Sequence, residues 1–416
     1  MTGVVGTEEA TAAAGDGSAA GVTAARGFRA AGVAAGIKAS GALDLALVVN
    51  DGPAAAAAGV FTANRVKAAP VLWSQQVLRG GVVHAVVLNS GGANACTGAP
   101  GFQDTHATAE HAARVLSGAP AGVEVGAGEV AVCSTGLIGE RLPMDSLLRG
   151  VETAAGELSG NGGGPAARAI MTTDTRPKTT VVAGGGGSDA GGGWCVGGMA
   201  KGAGMLAPGL ATMLVVLTTD AVADAATLDT ALREATRVSF DRVDSDGCMS
   251  TNDTVLLLAS GASGIAPEQA ELTAAVTAAC HDLAAALLAD AEGSTKDIAI
   301  EVTGAASEAD ALEVGRTVAR NNLVKTALFG NDPNWGRIIA AVGTTDAAFE
   351  ADRVDVAVNG VWVCRGGCAA EDRSTVDLTG RAVTITVDLH AGGHEATIWT
   401  NDLSLAYVHE NSAYSS

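Results

Sequence analysis

Aromatic side chains are scarce: Phe, Trp and Tyr make up 3% of the 416 residues, with two tyrosines among them. The core must therefore rest on Val, Leu, Ile and Ala, although hydrophobic residues reach 48% in all. Positive charge is short as well. Lys and Arg number 25 against 45 Asp and Glu, a formal net charge of −20. That balance argues against nucleic acid and anionic membrane as partners, since both need a cationic face. It also makes each cation conspicuous, so Lys178, Lys201, Lys325 and Arg337 are the ones to place first. No uninterrupted run reaches the roughly 18–20 apolar residues of a membrane span. The N-terminal Ala/Gly stretch carries Glu8, Glu9 and Asp16 and lacks a basic region followed by an apolar one. No secretory signal is expected from it. Seven scattered cysteines suit a reduced, cytoplasmic chain. Cys364 and Cys368 have no second Cys/His pair at ligand spacing, so no metal site is expected. The seven histidines are dispersed and show no Ser-His-Asp order.

Charged residues at 17% and this hydrophobic content describe a folded protein large enough for two domains or one two-lobed unit. The most informative stretch is Lys201-Gly-Ala-Gly-Met-Leu-Ala-Pro-Gly-Leu-Ala-Thr-Met-Leu-Val-Val-Leu-Thr-Thr-Asp-Ala221. It predicts a Gly/Pro loop running into a short strand, Met213 to Leu217, with Thr212 at the junction. Glycines and Pro208 favour a tight turn there. Such a turn can press the Thr212 hydroxyl onto the Ala211 carbonyl. An N→O acyl shift would then cut the chain and free the Thr212 amine. That amine titrates at about 7.7–8.0 when unperturbed and can act as base for its own hydroxyl. The plain alternative is a β-branched residue that merely enters a strand.

Elsewhere, strands and helices alternate, indicating layered α/β or α+β architecture. Asp51-Gly52-Pro53 marks a turn between two strands. Strand Val82 to Leu88 ends in a glycine loop, Asn89 to Gly98, before a helix over Asp104 to Leu116. That loop reads either as an anion cradle or as a tight turn. Strand Val130 to Cys133 runs into Ser134-Thr-Gly-Leu-Ile-Gly139. Its hydroxyls and a glycine amide can donate to a developing oxyanion, or can simply cap a turn. Gly184 to Gly193 reads as a hairpin tip. Asp244, Asp246 and Asp253 lack the spacing of a calcium loop, and Asp253 reads as a hydrogen-bonding residue. Pro267 to Ala291 predicts a long Ala/Leu helix. Strands are expected at Val354 to Cys364, Thr375 to Leu378, Val383 to Leu389 and Ala396 to Thr400, a β-rich C-terminal part.

Eight segments, in order, resemble the ornithine acetyltransferase (glutamate N-acetyltransferase) family. They are Asn89-Ser-Gly with Asn94-Ala-Cys-Thr-Gly98, Ser134 to Gly139, Met171-Thr-Thr-Asp-Thr175 and Lys201 to Ala221. Asp246-Gly with Ser250-Thr-Asn-Asp-Thr254, Glu292-Gly with Thr295-Lys296, Leu323 to Arg337, and Asn411 with Tyr414 complete the series. The resemblance spans roughly residue 30 to the C-terminus. It implies an α+β fold of layered sheets and helices, and self-cleavage between Ala211 and Thr212 into an α chain, 1–211, and a β chain, 212–416. It further implies an α2β2 heterotetramer. Thr212 would be the nucleophile, with Thr135 and Gly136 as oxyanion hole. Lys201, with Thr172 or Thr173, would meet the substrate carboxylate. Glu292 would face its cationic end, and Asn411 and Ser416 would close the pocket. The implied reaction moves acetyl from N-acetylornithine to glutamate in arginine biosynthesis, with acetyl-CoA open as a further donor and no cofactor. A self-cleaved amidase or aminopeptidase is the alternative. The chain departs from the family at Gly92 (often Asn), Leu210 (often Met), Cys248-Met249 (often Asp-Thr) and Ser416 (more often Thr).

Overall fold

The computed structural model describes residues 20–118, 124–185, 192–207 and 213–413. The chain enters through β1 (Phe28–Val33), β2 (Leu45–Asn50), β3 (Ala56–Phe61), α1 (Ala69–Val77), β4 (Ala85–Gly92), α2 (Gly98–Ser117) and β5 (Val130–Leu137). Next come α3 (Met144–Gly156), α4 (Gly163–Ala169), β6 (Lys178–Ala183), β7 (Cys195–Lys201), β8 (Leu214–Thr219), α5 (Ala225–Val238), β9 (Thr254–Ala259) and α6 (Gln269–Ala289). The remainder holds β10 (Asp297–Ala305), α7 (Glu308–Ala319), α8 (Asn322–Phe329), α9 (Trp335–Val342), β11 (Asp355–Val358), β12 (Val361–Arg365), β13 (Cys368–Ala369), β14 (Ala382–Asp388), β15 (His394–Asn401) and α10 (Leu405–Ala413). The architecture is α+β, as expected.

The strands form three sheets, ordered β1-β2-β4-β5, β3-β9-β8-β7-β6 and β13-β12-β11-β14-β10-β15. Alternation along β8 and β9 shows how the first two are layered. Leu214, Val216, Leu256 and Leu258 share a core with Leu45, Leu47, Val86 and Leu88 of the first sheet. The intervening Val215, Leu217, Val255 and Leu257 face the other way, onto Leu228 and Leu232 of α5 and Val276 and Leu283 of α6. Both faces are covered, which is why these strands are continuous apolar runs. The third sheet has its own core with α7, α8 and α9.

Asp51-Gly52-Pro53 does lie between two strands, β2 and β3, which belong to different sheets. Several expectations are corrected. The stretch Val354 to Cys364 is not one strand but the hairpin β11–β12, turning at Asn359 (φ +46°) and Gly360 (φ +82°). Asn-Gly supplies the two positive φ values that a tight hairpin needs. Thr375 to Leu378 forms no strand; a 3-10 turn ends at Thr375, its start held by Asp372 accepting from the Ser374 amide. β5 runs on to Leu137, so Thr135 and Gly136 lie within a strand rather than beyond its end. In the glycine loop after β4, buried Asn94 donates to the Gly101 carbonyl and the Thr105 hydroxyl. The flanks of the Gly184–Gly193 tip pair as the hairpin β6–β7, while 186–191 lie outside the described residues. The seven cysteines are free.

Helix α6 alone, among the described residues, is long and apolar enough to cross a membrane. Its apolar side is instead spent inside the protein, with Leu272, Val276, Cys280, Leu283 and Leu287 fully buried against the second sheet. Leu283→Ala is expected to cost about 2–5 kcal/mol through lost burial and a residual cavity. A fall in the urea midpoint with an unchanged slope would show it; an unmoved midpoint would contradict this packing.

Candidate active site

Seven of the residues singled out in the sequence line one cavity of about 140 Å³: Thr135, Gly136, Thr172, Thr173, Lys201, Glu292 and Asn411. Ala93, Met205, Ser250, Thr251 and Asn252 complete much of its wall. Ala211, Thr212 and Ser416 lie outside the described residues. Met213, which follows Thr212, is buried, and its N–H donates to Asp253 Oδ1 at 3.1 Å.

The Thr135–Gly136 wall is a distorted parallel pairing. β4 and β5 run in register from Ala85 and Val130 up to Gly91 and Gly136, then slip at Gly92. Gly136 holds φ +127°, and a Cβ there would lie 2.5 Å from the Gly91 carbonyl carbon. Only glycine fits, because the clash is with backbone. Asn252 locks the distortion, its amide donating to the carbonyls of Ala93 at 2.7 Å and Ser134 at 2.8 Å. Asn89 accepts from the Ser134 hydroxyl and donates to the Gly92 carbonyl. Gly92 has its own constraint: a Cβ would meet the Leu142 side chain at 2.7 Å. A larger residue there requires Leu142 to move.

Lys201 ends β7, is 1% exposed, and donates to the Thr135 hydroxyl at 3.3 Å. Burial lowers its pKa, opposed mainly by nearby Asp174. Beneath it, Lys178 is clamped between Asp174 at 2.5 Å and Asp290 at 2.6 Å. Asp174 also accepts from the amides of Thr172 and Gly202, and Asp290 from the Thr175 amide and hydroxyl. Burial pushes Asp174 up, but Lys201, Lys178 and the Gly202 amide outweigh it and hold the group at about 2. Asp253 goes the other way. It is fully buried, Oδ2 has no partner among the described residues, and burial raises its pKa well above the usual carboxylate range.

Glu292 faces the other end. Its oxygens accept from the Thr173 hydroxyl at 2.7 Å and the Asn411 amide at 3.0 Å. Gly204 makes room for it, since a Cβ there would lie 2.6 Å from the carboxylate. The two threonines are thus distinguished. Thr173 is committed to Glu292, whereas the Thr172 hydroxyl makes no hydrogen bond among the described residues and is free to meet a ligand. Of the four cations placed first, Lys201 reaches this cavity. Lys178 is spent in its clamp, Lys325 on backbone carbonyls, and Arg337 on the Leu323 carbonyl at 2.6 Å. The sequence marks Ser250, Thr251 and Asn252 only as part of a motif, not as a wall of the site. The signal for that wall is a hydroxyl- and amide-rich run placed directly before β9.

No group of His, Cys, Asp and Glu suited to hold a metal ion occurs among the described residues. A hydroxyl, a strained glycine, a buried lysine and a carboxylate thus surround one small polar cavity, groups suited to a small molecule charged at both ends. The chain belongs to the ArgJ family, whose model matches residues 29–416. The arginine biosynthesis bifunctional protein ArgJ of Streptomyces coelicolor is 67% identical over 395 residues, covering 95% of this chain and 100% of that one. The protein of the same name from Thermobifida fusca is 61% identical over 394 residues, covering 95% and 99%. A crystal structure of ornithine acetyltransferase complexed with ornithine, from Mycobacterium tuberculosis, is 65% identical over 47% of this chain and 97% of that one, with a TM-score of 0.43.

Gly136→Ala is expected to push the β4 and β5 backbones apart and lower the melting temperature, because the new Cβ would stand 2.5 Å from the Gly91 carbonyl carbon at a φ that side chains resist. A melting temperature equal to wild type would contradict it. Asp174 gives a pH prediction. Its folded pKa of about 2 lies below the ordinary 3.8, so its stabilisation is complete above about pH 4 and is lost as pH falls towards 2. Asp174→Asn is expected to cost about 2–3 kcal/mol at neutral pH. In urea titrations the gap to wild type narrows below pH 4; a gap constant with pH contradicts the assignment.

Proposed function

We propose that the protein is a glutamate N-acetyltransferase of arginine biosynthesis, moving acetyl from N2-acetylornithine to glutamate through an ester on Thr212. The single observation that carries this reading is identity of 61–67% across 95% of the chain with the ArgJ proteins. The cavity supports it, because groups suited to an acetyl carbonyl, an α-carboxylate and an ammonium surround one small space.

The chemistry runs in two halves. Thr212 first attacks the Ala211 carbonyl, and water hydrolyses the resulting ester. This leaves an α chain, 1–211, and a β chain, 212–416. In catalysis the Thr212 oxygen adds to the acetyl carbon of N-acetylornithine while the freed α-amine takes the hydroxyl proton. The Thr135 hydroxyl and Gly136 N–H donate to the oxyanion. The C–N bond breaks, the proton passes to the departing nitrogen, and ornithine leaves. The α-amine of glutamate then attacks the ester, and the Thr212 oxygen recovers a proton. Lys201 and the free Thr172 hydroxyl receive the α-carboxylate common to both substrates. Glu292 pairs with the ornithine ammonium, a charge-assisted contact. Asn411 and Ser416 close the pocket, acetyl-CoA is a candidate second donor, and an α2β2 assembly in the cytoplasm fits the reading. No step requires a cofactor.

Intact mass and N-terminal sequencing test this. Cleavage gives fragments of 211 and 205 residues (416 − 211), the second beginning Thr-Met-Leu. N-acetylornithine without glutamate should add one acetyl group to the second fragment. Thr212→Ala should remain full length and transfer nothing. Acetate released steadily without glutamate would point to an amidase instead, and an uncut wild-type chain with full activity would remove Thr212 from its role.

A further inference from the structure

The site does not end at Glu292. That residue lines two cavities, the second of about 100 Å³. Charged groups of both signs line it: Asp246, Asp402, Arg320 and Lys325. Most are already committed. Lys325 spends its three protons on the carbonyl of Ser245, the hydroxyl of Thr400 and the carbonyl of Asn401. Asp402 accepts from the amides of Thr295 and Lys296 and from the Thr295 hydroxyl. Asp246 accepts from the amides of Met205 and Cys248.

Arg320 is different. Its Nε donates to buried Asp244 at 2.7 Å, which anchors the head. Its stem crosses Gly247, where φ is +72° and a Cβ would stand 3.6 Å from Arg320 Cγ. Its two terminal nitrogens make no hydrogen bond among the described residues, and the side chain is 47% exposed. Arg320 is therefore a cation of this cavity that is held in place with donors to spare.

The acetyl-transfer reading, on which this inference rests, sets a problem. Both substrates have the same α-amino-acid frame, but one ends in an ammonium and the other in a carboxylate. A single charge at the far end favours one and repels the other. We propose that the second cavity is the acceptor's side-chain subsite, where Arg320 receives the side-chain carboxylate of glutamate while Glu292 serves the ammonium of ornithine. A guanidinium fork matches a carboxylate in geometry as well as charge. Asp244, which orients the fork, is a positioning residue.

Separating the half-reactions tests this. In Arg320→Gln, acetylation by N-acetylornithine, read as ornithine release and acetyl-fragment mass, is expected to stay within twofold of wild type. The KM for glutamate is expected to rise about 10- to 100-fold, the value of a charge-assisted contact. Preference for glutamate over glutamine as acceptor should fall by a similar factor. Arg320→Lys should recover part of both, since it keeps the charge and loses the fork. Melting temperature is followed in parallel, because either change disturbs Asp244. An unchanged glutamate KM and acceptor preference overturns the proposal, and so does an equal loss in both half-reactions. If Arg320→Gln does not fold, Arg320→Lys decides alone: an acceptor preference equal to wild type overturns it. Wild-type enzyme that forms no acetyl fragment would instead sink the transfer reading itself.

Discussion

The cavity depends on burying the amine of Lys201, a cost of desolvation that nearby carboxylates, Asp174 first, oppose. Lys201 is 1% exposed and its near partner is a hydroxyl. An isolated charge so placed would neutralise or stay out. What permits it is the cluster below, where Asp174 is pinned by Lys178, which is itself shared with Asp290. Two lysines and two aspartates nearly balance, and Asp174 stays ionised despite its burial. The same carboxylate takes the amides of Thr172 and Gly202, so one electrostatic arrangement also fixes the backbone on two sides of the cavity. Buried pairs of this kind add little net stability over apolar packing, but breaking one leaves a stranded charge. Their value here is positional.

The opposite wall is held by a backbone constraint. Gly136 has a φ that side chains resist, and its neighbour across the pairing, Gly91, is at +105°. Such a conformation persists only when its surroundings over-determine it. Asn252 does so by reaching from the loop before β9 to a carbonyl just past β4 and to one within β5. The next residue, Asp253, holds the Met213 amide at the head of β8. Two adjacent side chains thus tie the donor wall and the start of β8 to one loop. Their placement requires the four-stranded and five-stranded sheets to share a core.

Much of this was legible in the sequence, unevenly and for physical reasons. Continuous apolar runs marked β8 and β9 because both their faces are covered. Residues such as Thr135, Lys201 and Glu292 were legible through ordered motifs, and the fold gathers them although Thr135 and Glu292 are far apart in the chain. The Asn252 clamp was not, because its partners lie 159 and 118 residues away and an asparagine carries no mark of such a contact. The split of Thr172 from Thr173 was equally hidden, since both are threonines and Glu292 lies 119 residues beyond Thr173. The hairpin at Asn359-Gly360 differs, since its turn signal is local: an Asn-Gly pair inside an apolar run.

The acidic composition bears on the last point. A chain with few cations still spends several of them on structure. Lys178 bridges two carboxylates, Lys296 donates to the carbonyls of Leu378 and Gly380, and Lys325 serves three acceptors. Full coordination by the protein leaves an ammonium nothing to offer a ligand. Lys201 and Arg320 each keep N–H groups unspent among the described residues. They line two cavities that share Glu292 as a common wall. An amino acid extended from one cavity into the other would meet a cation at each end and a carboxylate between them. That set of charges offers a partner to an α-carboxylate and to either an ammonium or a second carboxylate at the other end.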